Sequence, residues 1–212
     1  MLIKKFSFKT NSWIKNHIND YYVKESYKKN IRSRAWFKLK EIDTKESLFK
    51  LKNKVIDLGS APGSWAQYAT SKIGNQGLVY AYDIKPMKPI KNVIFNQGDI
   101  VNNSSLLNSL LDFFKTISIN VVMSDMAPNV TGIHLVDNVR SINLCNIALL
   151  IAKKVLKKNG FFLVKTFQGT ELNQYIDKMR KIFVLVKIYK PQSSRSISRE
   201  IYILASRLKK IF

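Results

Sequence analysis

The sequence predicts an α/β fold: a mostly parallel seven-stranded sheet with its last strand antiparallel and helices on both faces. Three observations carry that expectation. Seven short apolar runs recur along the chain. Helix-compatible stretches separate most of them, and this alternation is the sequence form of βαβ units in a sheet covered on both sides. Only ten residues, 190–199, separate the sixth run from the seventh, with Pro191 and several serines among them. A parallel crossover needs about a dozen residues or more, so the closing pair is expected to be antiparallel.

The elements follow in order. Residues 1–30 are polar and basic, punctuated by Trp13, Tyr21, Tyr22 and Tyr27. They read as an arm, or as short helices packing on a core, and the division is drawn as an arm over 1–32 and a main domain over 33–212. Across 33–45, Ala35, Trp36, Leu39 and Ile42 recur at helical spacing behind Ser33, a suitable N-cap. Residues 55–58 form the first apolar run, ending at Gly59, and a helix follows over 65–73. The second run, 78–82, ends in Asp83, and the third covers 93–95. A helix over 104–115 precedes the fourth run, 119–123, which ends in Ser124 and Asp125. A long helix over about 137–157 is expected to stop at Asn159-Gly160, a C-cap signal. The fifth run, 161–164, ends in Lys165. A helix over 171–182 and runs at 184–189 and 200–205 complete the chain.

Composition narrows the function. One cysteine, Cys145, excludes a disulfide framework or a multi-cysteine zinc site within one chain. His17 and His134 lie far apart without HExxH spacing, so no metal site is expected. No apolar run approaches the roughly 18 residues of a membrane helix, and residues 1–10 lack the apolar stretch of a secretory signal. A soluble, reduced, cytoplasmic protein without membrane partners is the expectation. The net charge is +22, from 36 basic and 14 acidic residues, and a field of that sign attracts nucleic acid. Lysine outnumbers arginine 29 to 7, which an A+T-rich coding sequence would favour. Such a bias spreads lysine evenly, however, and here the charge is concentrated. Residues 1–40 carry a net +9 and 187–212 a net +6, leaving +7 for the 146 residues between.

In open α/β sheets ligands bind beyond the carboxyl ends of the parallel strands. Those ends carry Asp57, Asp83, Asp125 and Lys165, with Asp99 after the third strand. Any one of these aspartates would pass as a turn former or helix cap, but four of the 14 acids in one zone indicate a polar ligand site. The first loop reads Asp57-Leu58-Gly59-Ser60-Ala61-Pro62-Gly63-Ser64-Trp65. It is not GxGxxG, yet it follows the first strand and opens a helix. Asp83, 26 residues after Asp57, stands where a ribose-binding carboxylate belongs in a nucleotide-type fold. A nucleoside-containing cofactor is expected.

Five segments then occur in order: Arg32-Ser33-Arg34-Ala35-Trp36-Phe37-Lys38-Leu39; the loop DLGSAPGSW; Ser124-Asp125-Met126-Ala127-Pro128-Asn129; Val164-Lys165-Thr166-Phe167-Gln168-Gly169; and Ser193-Ser194-Arg195 with Ser198-Arg199-Glu200. Together they resemble the FtsJ/RrmJ family of ribose 2′-O-methyltransferases over about residues 12–207. The resemblance implies a Rossmann-like methyltransferase fold over 33–212, with S-adenosylmethionine as methyl donor. It implies 23S rRNA of the large ribosomal subunit as substrate, at a uridine, for a monomer acting without a metal. It implies a catalytic tetrad of Lys38, Asp125, Lys165 and Glu200, with Gly63, Trp65, Asp83, Asp99 and Asp125 holding the cofactor. Ser64 stands where relatives commonly have a second glycine, a change expected to affect cofactor affinity modestly.

The predicted topology agrees with the tetrad. Asp125 and Lys165 end parallel strands, Glu200 begins an antiparallel one at the same sheet edge, and Lys38 on the preceding helix has only to pack across it. Lys165, the family's candidate base, either accepts the 2′-hydroxyl proton or holds the 2′-oxygen while Lys38 stabilises developing negative charge. Residues 1–34 with Arg195, Arg199, Lys209 and Lys210 would grip the RNA backbone, and Trp13, Tyr21 and Tyr22 would stack on bases or staple the arm to the core. Cys145 reads as a buried small hydrophobe. Two other readings of the chain stay open at this point: a non-catalytic RNA-binding or ribosome-assembly protein, and a 2′-O-methyltransferase acting on tRNA. A nicotinamide-dependent oxidoreductase would need GxGxxG and a proton donor beside the ring, neither of which the loop spacing supports.

Overall fold

The structure, a computed structural model, describes residues 20–209. The expectations for Trp13, His17, Lys4, Lys5, Lys9, Lys15 and Lys210 lie outside the described residues. Helix α1 (Tyr21–Lys28) is capped by Asp20, whose carboxylate accepts from the Tyr22 and Val23 amides. Helix α2 (Ala35–Glu46) follows, then strand β1 (Lys54–Leu58) and helix α3 (Ser64–Ile73). Strands β2 (Leu78–Asp83) and β3 (Val93–Gln97) lead to helix α4 (Ser104–Phe113), a 3-10 turn (Phe114–Thr116) and strand β4 (Ile119–Ser124). Helix α5 (His134–Val155) runs into strand β5 (Leu156–Phe167), and helix α6 (Leu172–Ile182) into strand β6 (Phe183–Tyr189); strand β7 (Glu200–Leu208) closes the sheet.

The sheet has seven strands in the order β3-β2-β1-β4-β5-β7-β6. The β1–β2, β1–β4, β2–β3 and β4–β5 pairs are parallel, and β7 lies antiparallel between β5 and β6. The predicted fold is therefore the observed one, the closing pair included. Strand order reverses between β1 and β4, which places the crevice for a ligand above these two strands.

Alternation along the strands builds two cores. Ile56, Leu58, Val122, Phe162, Val164 and Ile203 face α4, α5 and α6. Val55, Val121, Met123, Leu163, Tyr202 and Leu204 face α2 and α3, where Leu39, Ile42, Trp65 and Tyr68 meet them. Helix α5 is long and apolar enough to cross a membrane by length and composition. Here it packs on β4 and β5 with Cys145, Ala148, Leu149, Ile151 and Ala152 buried, the arrangement of a core helix.

Two boundaries differ from expectation. The long helix does not continue to Asn159-Gly160; it ends at Val155, and Leu156 already pairs with Ile119. The register then shifts, so that Phe161 pairs with Val121. A Cβ on Gly160 would lie 2.8 Å from the Asn120 carbonyl oxygen, so its glycine serves a close strand approach and not a helix cap. The second difference is at Ser33. Helix α2 starts after Arg34, so Arg34 and not Ser33 is its N-cap; the Ser33 hydroxyl accepts from the Ala35 amide at 3.3 Å and lies 2.6 Å from the Ser64 hydroxyl, joining the entry of α2 to the first turn of α3.

Candidate active site

Four charged side chains meet at the carboxyl end of the sheet. Lys38, on α2, donates to Glu200 Oε2 at 2.7 Å. Lys165, near the end of β5, lies 3.0 Å from Asp125 Oδ1 and donates to the Asp125 carbonyl at 2.5 Å. Both lysines are buried, Lys165 with 7% of its surface exposed. A buried ammonium needs a partner, and each has a carboxylate.

Tyr202 joins the two pairs, and sequence reasoning missed it. It is the cross-strand partner of Lys165, as Glu200 is of Phe167, so Glu200 and Tyr202 share a face of β7 by the two-residue period. The Tyr202 hydroxyl donates to Asp125 Oδ1 at 3.2 Å, and the Lys38 ammonium lies 5.8 Å from the centre of its ring. Burial, with the carboxylates of Asp125 and Glu200, pushes the Tyr202 phenol well above its ordinary acidity range, so it stays a donor. Burial also pushes the Glu200 carboxyl upward, but the Lys38 and Lys165 ammoniums outweigh it and hold Glu200 below its ordinary value. The signal that could have revealed Tyr202 is its position two residues after Glu200 on a strand.

The expected cofactor residues surround the neighbouring loop. Gly59 and Ser60 donate to the Tyr82 carbonyl at 2.9 and 3.1 Å, pinning the loop to β2. Gly59 has φ +71° and packs so tightly that a Cβ would lie 2.8 Å from Met126 Cα. Gly63, at φ +102°, caps α3. Asp83 ends β2 with Oδ2 accepting from the Ala61 amide and Oδ1 from the Lys85 amide, both at 2.8 Å. Asp99 accepts from the Asn102 side chain and from the Asn102 and Val101 amides, and these hydrogen bonds hold its carboxyl below the usual range. Trp65 behaves differently: its indole is 2% exposed and donates to the Ala35 carbonyl at 3.0 Å. Its backbone lies in the first turn of α3, where helix geometry leaves amides without intrahelical acceptors. Asp125 spans both regions. Its amide donates to Leu58 at the head of the loop, and its carboxylate faces Lys165 and Tyr202.

Asp57 is completely buried, and neither carboxylate oxygen has a hydrogen-bond partner. Burial and the like charges of Asp125 and Asp83 push its carboxyl well above the usual range. Burial and like charges of this kind favour the neutral form of the acid. Among the described residues, no group of three or more His, Cys, Asp or Glu side chains is placed to hold a metal ion.

The basic residues expected to grip RNA are partly engaged within the protein. Arg34 pairs with Asp20 and donates to the Ser193 carbonyl, Arg195 lies 3.6 Å from Asp20, and Arg199 donates to the Gln168 carbonyl at 2.5 Å. The loop carrying Arg195 is moored to α2, where Glu41 accepts from the Gln192 and Ser193 amides at 2.7 and 2.9 Å. Tyr22 packs on Phe37 at 5.2 Å, whereas Tyr21 is 67% exposed. Cys145 is buried as expected, its thiol pushed up to about 12 by burial.

Comparison with known proteins places this arrangement. The family model for FtsJ-like methyltransferases matches residues 31–208. The chain is 49% identical over 210 residues to "Ribosomal RNA large subunit methyltransferase E" of Buchnera aphidicola subsp. Cinara cedri, covering 99% of this chain and 100% of that one. It is 48% identical to the protein of the same name from the subspecies Acyrthosiphon pisum, over 98% and 100% of the two chains. Among solved structures, a Plasmodium falciparum protein described as a ribosomal RNA methyltransferase superposes with a TM-score of 0.74 at 30% identity, over 84% of this chain and 98% of that one. Human methyltransferase-like protein 13, solved with S-adenosylhomocysteine, shares the fold at a TM-score of 0.56 and 13% identity, over 76% and 75%.

Proposed function

The chain belongs to the FtsJ-like methyltransferase family, and from that premise we propose that it transfers a methyl group from S-adenosylmethionine to a ribose 2′-hydroxyl of RNA. The substrate we propose is a uridine of 23S rRNA in the large ribosomal subunit, modified in the cytoplasm. One observation carries the reading: two lysine–carboxylate pairs, joined through Tyr202, sit beside a loop suited to a cationic nucleoside cofactor, and Asp125 belongs to both. The relatives named for large-subunit rRNA methylation support the substrate, as does the net charge of +22.

The residues fit the proposed cofactor. Asp83, at the end of β2, is placed for ribose hydroxyls, and Gly59 and Gly63 keep the loop backbone close. Asp99, in the loop after β3, would hold the base. The carboxylates of Asp83 and Asp125 give the crevice the negative character that a sulfonium and an ammonium require. When bound, S-adenosylmethionine supplies an electrophilic methyl carbon.

The protein's own groups act on the nucleophile. A ribose hydroxyl attacks well only as its proton leaves. Acting as the free amine, Lys165 keeps its two N–H bonds on the carbonyl and carboxylate of Asp125, and its lone pair is left for the hydroxyl on the 2′-oxygen. Lys165 orients that oxygen and takes its proton as the oxygen–carbon bond forms and the sulfur–carbon bond breaks. Asp125 aims Lys165, Tyr202 aims Asp125, and Glu200 keeps Lys38 beside the developing negative charge. The basic residues before Arg32, together with Arg195 and Arg199, supply backbone attraction for RNA.

The test is methyl transfer from tritium-labelled donor to RNA, followed by mapping of 2′-O-methyl positions in RNA from a strain lacking the protein. Label in large-subunit rRNA, at a position unmethylated in that strain, supports the reading. Tight RNA binding without transfer would establish a non-catalytic assembly protein, and label confined to tRNA would reassign the substrate.

A further inference from the structure

We infer that Arg32 is a positioning residue of the cofactor crevice, not an RNA contact, and that it fixes the spacing between the loops after β1 and β2. Arg32 lies in the basic segment whose charge suggests a grip on phosphates, but its guanidinium is committed elsewhere. Nη1 donates to the Pro62 carbonyl at 2.8 Å and the Lys88 carbonyl at 2.7 Å, and Nη2 donates to the Pro89 carbonyl at 2.7 Å. Three of the five donors that a guanidinium carries are thereby engaged.

The three carbonyls come from two different loops. Pro62 sits between Gly59 and Gly63, in the loop that opens α3. Lys88 and Pro89 belong to the segment that follows Asp83. These loops border the crevice on either side of the Asp83 carboxylate, so a tie between them sets its width. The backbone around Arg32 is anchored as well: its amide donates to Gln67 Oε1 at 3.1 Å, and Gln67 Nε2 donates to the Asn30 carbonyl at 3.0 Å. Gly63 is fitted to the same tie. A Cβ there would lie 2.9 Å from Arg32 Nη1, 2.7 Å from Met87 Sδ and 2.9 Å from Ile90 Cδ1. The planar fork of arginine reaches both loops at once, which a single ammonium cannot do.

The inference rests on the S-adenosylmethionine reading of the crevice, and titration calorimetry on the full chain keeps the two apart. Donor binding by the unmodified protein tests the reading; the variants test the tie. Arg32→Lys keeps the charge and loses the two-loop span. It should weaken donor binding by about tenfold or more, the fold-change of one lost charge-assisted hydrogen bond. It should raise KM for the donor with kcat little changed, and leave RNA affinity at fixed salt unaltered. Gly63→Ala keeps the arginine but wedges a methyl group against its guanidinium, Met87 and Ile90, so it should show the same signature. Thermal melts of both variants confirm that folded protein is compared. If the unmodified protein binds donor and both folded variants bind it equally well, the tie is unimportant and the inference falls. It falls equally if Arg32→Lys binds donor normally while Arg32→Gln loses RNA affinity, because Arg32 is then a phosphate contact. No donor binding by the unmodified protein would instead overturn the cofactor reading itself.

Discussion

Lys165 and Tyr202 face each other across the β5–β7 register, and both reach the same oxygen, Asp125 Oδ1, at 3.0 and 3.2 Å. The tyrosine therefore limits how Asp125 can aim the lysine. Tyr202→Phe keeps the ring beneath Lys38 and removes one hydrogen bond to a charged group, an interaction worth about 1.5–3 kcal/mol. We expect kcat to fall by roughly 10- to 100-fold on that basis, with donor affinity unchanged. Single-turnover kinetics with saturating RNA and calorimetry with the donor check both halves.

Lys165 is expected to be less replaceable. General acid–base groups contribute about 10²–10⁴ in rate, so Lys165→Ala should lose that much kcat while binding donor and RNA normally. Lys165→Arg separates proton transfer from charge, because a guanidinium does not give up its proton. An arginine variant as inactive as alanine supports proton transfer; one that keeps most of the activity reduces Lys165 to an electrostatic holder. Labelled-donor assays on both variants supply the comparison.

The Lys38–Glu200 pair makes stability depend on acid. Glu200 is held below its ordinary value of 4.5. A carboxylate lowered in this way stabilises the fold above its unfolded value, and the contribution is lost as pH falls through the lower, folded value. Glu200→Gln leaves the buried Lys38 without its carboxylate, so it should be less stable than the natural sequence at neutral pH, with the gap closing as pH falls below about 4.5. Urea unfolding at a series of pH values reads the gap; one that stays constant down to pH 3 would overturn this account.

RNA binding should carry the mark of the basic segments. For about 6–10 neutralised phosphates, affinity falls by about 10³–10⁵ between 50 and 200 mM salt. Neutralising several of Lys4, Lys5, Lys9, Lys15 and Lys24 should flatten that slope and spare donor binding. Filter binding across a salt series measures it, and an unchanged slope removes these lysines from the interface.

Gly59 offers a stability test. Its φ of +71° disfavours an L side chain, and a Cβ would meet the Met126 backbone at 2.8 Å. Gly59→Ala should destabilise by about 1–3 kcal/mol, the range for forcing an extra carbon into a packed site, and should weaken donor binding because the loop must move. Urea midpoints and calorimetry report the two effects separately.

Much of this architecture was legible in the sequence because strand ends are marked by chemistry. Asp83, Asp125 and Lys165 each follow an apolar run, and an α/β sheet brings such ends together. Asn159-Gly160 misled because a helix C-cap and a tight strand approach both select glycine, and only the neighbouring Asn120 carbonyl distinguishes them. Tyr202 was hidden because a tyrosine in an apolar strand reads as core, which most of its ring is. Arg32 was hidden because a basic residue in a basic segment gives no sign that its donors turn inward onto backbone carbonyls. Contacts of these kinds depend on which loops become neighbours, and local periodicity carries no record of that.

Strand β7 enters the sheet between β5 and β6, and the Lys38–Glu200 pair spans 162 residues of sequence. The proposed catalytic group is thus shared between an early helix and a strand that is synthesised after β6. A nascent chain that has folded everything through β6 has β5 and β6 without the strand that separates them, and it lacks both Glu200 and Tyr202. No copy made only through β6 holds both ion pairs, and the proposed tetrad is assembled only as β7 closes the sheet.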